Sequence, residues 1–224
     1  LYQQGYFRQV MAQDGSQVEA FPYNDPNTLP LEPVQDVDGS RLRIKISLPG
    51  RSLLLRVWKV NVCRVNLYLL DSNDPLNSPW DRAITANLYA PGEERRLIQE
   101  LVLGIGGWQA LEKMGIEPEV CHLNEGHAAF VVLARAYSFM LQSGCSLEEA
   151  FWATRAGNVF TFHTPGAGGF DRFGPDLMRK YAKYFADLIG LPYEKMMSMG
   201  ARFLEDEKGP FTIALLALRG CSYV

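Results

Sequence analysis

Two short apolar runs decide the fold that this sequence predicts: residues 119–123 read EVCHL, and residues 158–162 read NVFTF. Each run has the length and the apolar content of a buried strand. Helical patterns lie between the two runs, one over residues 126–142 and one that begins with a capping box at Ser146. Strand, helix, helix and strand in this order predict a right-handed crossover between parallel strands. We therefore predict a doubly wound α/β sheet within residues 92–224.

Helical spacing of apolar residues continues on both sides of these strands. A long helix is predicted over residues 93–114, although Gly104, Gly106 and Gly107 lie inside it. Each glycine costs roughly 1 kcal/mol relative to alanine in a helix, so we expect the three to mark a kink or close packing against a neighbour. Further helices are predicted at residues 176–190, 192–199 and 211–219.

The first part of the chain has strand patterns instead. Residues 42–46, LRIKI, alternate apolar and charged side chains with the period of a half-buried strand. Similar runs, separated by turn residues and by a proline-rich loop at 22–33, occur at residues 6–10, 17–21, 53–60 and 65–70. Strands without intervening helices predict a meander or the elaborated edge of a sheet. A polar loop is predicted at 71–91, so we divide the chain into a β-rich segment with its loop, 1–91, and an α/β portion, 92–224.

The composition excludes several classes of partner. The chain has 224 residues, of which 47% are hydrophobic, and a net charge of -3. This mild acidic balance gives no electrostatic footprint for nucleic acid or for an anionic membrane, and the longest apolar runs are too short to span a bilayer. The four cysteines contain no CxxC pair, which is ordinary intracellular usage and predicts free thiols in a cytoplasmic protein.

The two ends of the sequence predict a fragment. Residue 1 is leucine, and the first ten residues already have a strand pattern. The last helical stretch, residues 212–219, stops without a good cap. A chain that begins within one element and ends within another is expected to be a piece of a longer protein.

Polar side chains gather where the two predicted strands end. All three histidines, His122, His127 and His163, lie in or beside these ends, and Asn124 and Glu125 add an amide and a carboxylate. Ligands of open parallel sheets bind at the carboxyl ends of the strands. His163 emerges from the second strand and is best placed to meet a ligand, whereas His122 is expected to pack or bond internally. Amides, carboxylates and imidazoles suit sugars, whose hydroxyls both donate and accept hydrogen bonds.

Other uses of this region stay open or are disfavoured by spacing. The three histidines alone are equally compatible with a structural role. The turn at residues 165–169, PGAGG, either lets the backbone approach a ligand closely or is a plain connection. A zinc site is disfavoured because His122 and His127 are five residues apart across a strand-to-helix break and no HExxH is present. The GxSxG pattern of serine hydrolases and the GxGxxG and GxxxxGK phosphate-binding patterns are also absent.

Four motifs in order resemble the α-glucan phosphorylases, in particular the shorter bacterial and archaeal type. They are LDSNDPLN at 70–77, LGIGG at 103–107, HLNEGHAAF at 122–130 and VFTFHTP at 159–165. The resemblance runs across nearly the whole chain and is firmest from about residue 66 to residue 176. It implies a GT-B fold, in which two Rossmann-like domains face each other across a cleft. This chain would then be part of the N-terminal Rossmann-like domain, with a β-rich segment preceding a parallel sheet flanked by helices.

The same resemblance implies a reaction. Phosphorylases transfer glucosyl units reversibly between an α-1,4-glucan end and phosphate, which gives glucose 1-phosphate. In the family, pyridoxal phosphate is bound by a lysine of the C-terminal domain, and its phosphate works as acid and base. That lysine is expected after residue 224, and the family's glycine-rich loop that meets the substrate phosphate is expected before residue 1. We therefore expect this chain to bind neither cofactor nor metal, to need the missing C-terminal domain for turnover, and to be compatible with a homo-oligomer.

His163 stands where the family has the histidine that contacts the transferred glucosyl unit, so the resemblance implies a catalytic role for it. Its backbone carbonyl and ring would help to hold the sugar where positive charge develops in the transition state. Substrate-binding roles are implied for an acceptor-side group and for a helix arginine near the cleft: Asn124, Glu125, His127, Thr164 and Arg96.

The sequence also departs from the family. Its usual pattern is Thr-His-Thr-Pro-Val-Pro-Ala-Gly, but Phe162 replaces the first threonine and residues 166–169 read GAGG, so we expect a more mobile loop here. Two alternatives remain open. One is a standalone glucan-binding or regulatory module, and the other is a nucleotide-sugar glucosyltransferase such as a glycogen synthase, which should lack the His163-Thr164-Pro165 context.

Overall fold

The computed structural model describes residues 1–88, 91–164, 170–203 and 209–224. These residues form two compact units, one of residues 1–45 with 53–96 and one of residues 46–52 with 97–224. Among the described residues, no single helix is long and apolar enough to cross a membrane. One bent pair, Gly126–Ser143 with Leu147–Arg155, passes that test of length and composition only when its two parts are taken together.

Antiparallel strands dominate residues 1–71, as the sequence predicts. One sheet pairs β1 (Arg8–Met11) with β2 (Gln17–Ala20). A second sheet contains β3 (Glu32–Pro33), β4 (Arg43–Leu48), β5 (Arg51–Val62) and β6 (Val65–Asp71). Its order is β3-β5-β4, and β6 also pairs with β5. The predicted alternation in β4 is confirmed, because Ile44, Ile46 and Leu48 are buried while the residues between them are not.

Two segments that the sequence analysis assigned to loops contain regular structure. The proline-rich stretch holds a 3-10 turn (Pro26–Thr28) and β3. The stretch predicted as a polar loop at 71–91 holds a helical turn, α1 (Pro79–Arg82). Ser78 caps this turn by accepting the backbone N–H of Asp81, and Pro79 fits the first helical position, where no N–H is needed.

Several polar side chains of that stretch are buried rather than solvated. Asn77 is 7% exposed, and its amide donates to the backbone oxygens of Leu54 and Ser72 at 2.7 Å each. Its side-chain oxygen accepts the N–H of Leu54 at 3.0 Å. Asp71, which is fully buried, accepts from Arg56 and from the Trp58 indole. These side chains satisfy backbone and side-chain groups of the strands, which is why polar residues occupy the interior here.

Asp74, which is also fully buried, forms an ion pair with Arg43 of β4, with Nε 2.7 Å from Oδ2. Burial by itself raises the pKa of this carboxyl group. The backbone N–H of Leu76 and the guanidinium of Arg43 outweigh burial, and the net pKa of Asp74 is lowered.

The predicted helix over residues 93–114 is present, but the stretch that contains Gly104 and Gly106 is π-helical. It consists of α2 (Glu93–Leu101), a π-helical stretch (Val102–Gly106) and α3 (Gly107–Lys113). The expected close packing is confirmed at Gly104, where a Cβ atom would lie 2.7 Å from Cβ of Phe130 and 2.9 Å from the backbone nitrogen of Val131. A side chain at this position would therefore overlap the start of a neighbouring helix.

The two deciding strands are confirmed as a parallel pair. β7 (Cys121–Asn124) and β8 (Asn158–Thr161) pair in register from Cys121↔Asn158 to Asn124↔Thr161. Two helices connect them, α4 (Val131–Ser143) and α5 (Leu147–Arg155). The predicted capping box is present at α5, where Ser146 and Glu149 each accept from the other's backbone N–H.

The parallel sheet is smaller, in the described residues, than the doubly wound sheet of the sequence analysis. It has two strands, and a single parallel bridge between Val159 and Tyr223 extends it. A short antiparallel pair, β9 (Arg172–Phe173) with β10 (Phe211–Thr212), lies outside it. What is confirmed is a mixed α/β architecture with a parallel pair and surrounding helices.

The remaining helices follow the predicted periodicity with shifted ends. The helix predicted at 176–190 is two helices, α6 (Pro175–Tyr181) and α7 (Lys183–Leu188), because the backbone departs from regular helical geometry at Ala182. α8 (Tyr193–Gly200) and α9 (Ile213–Gly220) complete the described elements, and the start of the helix predicted at 211–219 is strand β10 instead. All four cysteines are free thiols, as predicted: Cys63, Cys121, Cys145 and Cys221.

Candidate functional site

β7 and β8 end side by side at the same edge of the parallel sheet. Asn124 and Thr161 are the last paired residues of the parallel ladder. The next residue of the first chain, Glu125, donates its backbone N–H to the oxygen of Thr161 at 2.9 Å. Parallel register therefore delivers two polar segments, residues 124–127 and 162–164, to one edge of the sheet, which is the usual place for ligands in this kind of architecture.

His163 lies at this edge and is exposed, so its ring is outside the apolar interior. Its Nε2 is 2.9 Å from Oδ1 of Asn124. Its backbone N–H donates to Oε1 of Glu125 at 2.9 Å. The structure thus brings together three residues that the sequence analysis selected, and Thr164 joins them by donating its hydroxyl to the same Glu125 oxygen at 3.3 Å.

Glu125 has an unusual backbone. Its φ is 65° and its ψ is 175°, and among the described residues only Cys63 shares a positive φ without being glycine. The two oxygens of its carboxylate differ in their surroundings. Oε1 accepts hydrogen bonds from two residues after β8, whereas Oε2 is buried and has no hydrogen-bond partner among the described residues. Such a conformation persists only where the surroundings hold it.

The other two histidines differ from His163. His122 lies within β7 and its Nε2 hydrogen-bonds the hydroxyl of Thr161, so the prediction of an internal bond is confirmed. The side chain is nevertheless exposed rather than packed. It ties the two strands together just before their tips.

His127 lies in a 3-10 turn (Gly126–Ala128) that leads into α4. This turn packs closely, because a Cβ atom on Gly126 would lie 3.0 Å from Cγ2 of Ile213 and 3.3 Å from the backbone nitrogen of Ala214. Glycine is therefore required here by the approach of α9 and not by backbone torsion angles. His127 directly follows this closely packed glycine in the turn.

Two carboxylates that the sequence analysis did not select flank the His127 ring. Nδ1 is 3.5 Å from Oδ2 of Asp171 and 3.8 Å from Oε1 of Glu100. Glu100 is 1% exposed. A signal for Glu100 was available, because it lies three residues after buried Leu97 and so falls on the apolar face of α2. No local pattern marks Asp171, which reaches the group only through the tertiary fold.

Glu100, His127 and Asp171 also offer three donor atoms that all lie within 4.8 Å of one another. Two carboxylates and an imidazole are ordinary ligands for a divalent cation. Among the described residues, His122 is not a member of this group. The expectation of no metal stays a prediction.

Arg96 and the glycine-rich turn complete the predicted site residues. Arg96 is a half-buried residue of α2 that belongs to the first unit, and its backbone N–H donates to the oxygen of Gly92. The cluster around His163 belongs to the second unit, so the substrate-binding role of Arg96 stays a prediction. The turn at residues 165–169, with its predicted backbone approach to a ligand and its predicted mobility, lies outside the described residues.

The chemistry that this edge can perform follows from its groups. Imidazole, amide, carboxylate and hydroxyl side chains provide both donors and acceptors, which suits a ligand with many hydroxyls. The roles inferred for the individual residues stay predictions, since the geometry brings them together without testing what they bind.

Comparisons with known proteins confirm the resemblance found in the motifs. No protein-family model matches the chain. It is 40% identical over its full length to a maltodextrin phosphorylase of Thermococcus litoralis, of which it covers 26%. It is 36% identical over 97% of its length to a glycogen phosphorylase of Mycobacterium tuberculosis and 32% identical over its full length to one of Aquifex aeolicus. The chain spans 26% to 32% of the length of these curated relatives.

Proposed function

We propose that this chain is part of an α-glucan phosphorylase, a glycosyltransferase that moves glucosyl units between the end of an α-1,4-glucan and phosphate. The similarity to maltodextrin and glycogen phosphorylases extends over the whole chain and supports this proposal. The observation that carries it is the cluster at the tips of the two parallel strands. There His163 is exposed and is held by Asn124 and Glu125, with hydrogen bonds of 2.9 Å to each.

In this proposal His163 contacts the glucosyl unit that is transferred. The bond between the sugar and its leaving group breaks with positive charge building up at the anomeric centre. Dipoles that are already oriented before the reaction stabilise such charge most effectively. The backbone oxygen of His163 is such a dipole, and the hydrogen bond from its N–H to Glu125 fixes the loop that presents it.

The acceptor side of the glucan would meet His127 and its neighbours. We assign His127, whose imidazole lies beside Glu100 and Asp171, to this acceptor side as a sugar-binding side chain. Thr164, which shares the Glu125 oxygen with His163, completes the proposed substrate-binding set of the second unit, and a substrate-binding role for Arg96 of the first unit is proposed separately. We place the reaction in the cytoplasm and leave homo-oligomerisation as part of the proposal.

The finer fold assignment is also part of this proposal. The two units described here would contribute to the N-terminal Rossmann-like domain of a GT-B enzyme. Pyridoxal phosphate would supply the phosphate group that serves as acid and base in the reaction. The donor set at the strand tips, an imidazole, an amide, a carboxylate and a hydroxyl, suits sugar hydroxyls and includes no amine to bind that cofactor. As the family resemblance implies, the cofactor would be held by a lysine of a C-terminal domain.

Phosphorolysis of maltoheptaose tests the proposed function. The full-length protein, purified with pyridoxal phosphate, should release glucose 1-phosphate from maltoheptaose and inorganic phosphate. His163→Ala should lower kcat by at least about 100-fold. The matched change His122→Ala, within β7 and outside the proposed sugar contact, should lower kcat much less. The 224-residue chain alone should release no product.

Each failure has a distinct meaning. Calorimetric binding of maltoheptaose without any turnover by the full-length protein would favour a glucan-binding module. Turnover that requires a nucleotide sugar instead of phosphate would favour a synthase-type glucosyltransferase. Efficient phosphorolysis by the 224-residue chain alone would contradict the assignment of the acid and base groups to another domain.

A further inference from the structure

We propose that Asn124 and Glu125 act through His163 as positioning residues, and that Glu125 does not bind the glucan itself. This inference rests on the proposed function for its reaction, but its structural part stands on the geometry of the second unit alone. Glu125 binds the backbone N–H of His163, and Asn124 binds its imidazole ring. The resemblance to phosphorylases implied substrate contacts for both, so the inference reassigns them.

The first observation is the strained backbone of Glu125. A φ of 65° with a ψ of 175° lies in a region that is occupied almost only by glycine. The following residue, Gly126, packs closely against Ile213 of α9. A glycine at position 125 would make the same turn without strain, so the glutamate is retained against a local conformational cost. The side chain must supply what a glycine lacks.

The second observation is what the side chain does. Oε1 of Glu125 accepts the backbone N–H of His163 at 2.9 Å and the hydroxyl of Thr164 at 3.3 Å. Hydrogen bonds to an ionised acceptor are about twice as strong as neutral ones. One carboxylate oxygen therefore fixes the two residues that leave β8, at the point where regular pairing between the strands has ended.

The third observation concerns the ring of His163. Oδ1 of Asn124 can only accept, so Nε2 of His163, 2.9 Å away, carries a proton. This bond fixes the tautomer and the orientation of the imidazole. The peptide group is fixed by Glu125 and the ring by Asn124, so the tip of β7 determines the whole placement of His163.

The same contacts leave Glu125 little capacity for a ligand. Oε1 is shared by two donors, and Oε2 is buried. A sugar hydroxyl would have to displace His163 or Thr164 to reach this carboxylate. The geometry is that of a support for His163 and not that of a sugar contact.

Two substitutions of Glu125 separate positioning from ligand binding and from folding. Glu125→Gly removes the carboxylate and relieves the backbone strain, so the melting temperature should stay within about 4 °C of wild type. In the full-length enzyme, kcat for maltoheptaose phosphorolysis should fall about 100-fold, while KM for maltoheptaose changes by less than about threefold. Glu125→Gln keeps an acceptor oxygen and should retain more activity than the glycine variant. Glu119→Gln, an exposed carboxylate before the other end of β7, serves as the matched control and should behave as wild type.

A higher KM with unchanged kcat in Glu125→Gly would show a direct glucan contact and overturn the inference. A large drop in melting temperature with unchanged kcat would show a purely structural role and overturn it as well. Both results are read against the Glu119→Gln control.

Amide hydrogen exchange provides a readout that does not depend on catalysis. The amide of His163 should exchange at least about 10-fold faster in Glu125→Gly than in wild type, because its only acceptor in the described structure is removed. Unchanged protection at His163 would overturn the inference. If the full-length protein shows no phosphorolysis, the proposed function fails, while the exchange experiment still tests whether Glu125 holds His163.

Discussion

The Nε2 atom of His163 lies 2.9 Å from Oδ1 of Asn124, so one hydrogen bond joins the tips of two parallel strands. The two residues are separated by the whole α4–α5 crossover in sequence. Their meeting depends on the register of β7 and β8, in which Asn124 is opposite Thr161. A shift of register by one residue would separate the amide from the imidazole and would move the exposed ring away from its neighbours.

Asn124→Ala is expected to release the imidazole of His163 without unfolding the protein. We expect kcat/KM for maltoheptaose to fall about 10- to 100-fold, because a misoriented ring loses transition-state contacts. The free energy of unfolding should change by less than about 1 kcal/mol, since both partners are exposed. Steady-state kinetics and urea unfolding measure the two quantities. Wild-type kinetics in this variant would contradict the role given to the bond.

Gly104→Ala is expected to destabilise the second unit, and Gly107→Ala is its matched control in the same helical segment. The new Cβ at position 104 would lie 2.7 Å from Cβ of Phe130, whereas nothing lies within 4 Å of one at position 107. Overpacking should cost about 1–3 kcal/mol at Gly104, and Gly107→Ala should be neutral or stabilise by up to about 1 kcal/mol. Urea unfolding compares them. Equal effects would contradict the close approach of the π-helical stretch to α4.

Asn77→Ala is expected to destabilise the first unit by about 2–3 kcal/mol, because it leaves the N–H and the oxygen of Leu54 and the oxygen of Ser72 without a partner. Asn66→Ala, an exposed change on β6, is the control and should stay within about 0.5 kcal/mol of wild type. Chemical denaturation monitored by tryptophan fluorescence measures both. Similar values for the two variants would show that the buried amide is not a structural support.

Alkaline pH is expected to destabilise the protein through Cys221. Burial, with a smaller contribution from Cys121, raises the pKa of the Cys221 thiol to about 11, above the usual thiol value near 8.5. The folded state therefore favours the neutral thiol. Its contribution to stability is complete below about pH 8.5 and is lost as the pH rises toward 11.

Urea midpoints between pH 8 and pH 11 test this dependence. The midpoint of the wild type should fall across this range, and the fall should be smaller in Cys221→Ala. Cys63→Ala, which removes an exposed thiol, should keep the slope of the wild type. An unchanged slope in Cys221→Ala would assign the alkaline loss to other groups.

Local sequence was sufficient for the elements that decide the architecture. Strands β7 and β8, the capping box at Ser146 and the alternation in β4 follow from short-range patterns, and all are confirmed. The close packing expected of the glycines in the 93–114 helix is confirmed at Gly104, whereas a Cβ atom at Gly107 would have no neighbour within 4 Å. The break between α6 and α7 at Ala182 was not predictable, because the periodicity continues through it.

Tertiary contacts account for what the sequence analysis missed. The segment after β6 has the composition of a loop, yet Asn77 and Asp71 are buried because distant strands supply their partners. In the same way, Glu100 and Asp171 meet His127 only after the chain has folded. Composition describes single segments, and these contacts join segments that are far apart in sequence.

The proximity of the candidate site residues was predictable, but their internal relationships were not. Asn124, Glu125 and His163 were selected from the strand ends and Thr164 through the family resemblance, and the structure gathers all four, while their role as a binding site stays a prediction. The positive φ of Glu125 leaves no trace in the residue type, since glutamate rarely adopts it. Which residue touches a ligand and which supports another residue depends on such details.

The absence of room for a side chain at Gly126 has a consequence for how this region can change. The 3-10 turn is in contact with Ile213 and Ala214, so any displacement of α9 along its axis would be transmitted to His127 one residue later. A larger side chain at residue 213 or 214 would therefore shift the 3-10 turn and His127, without altering any group that faces solvent at the strand tips. In directed evolution, the N-terminal turn of α9 is where remote substitutions should modify ligand selectivity.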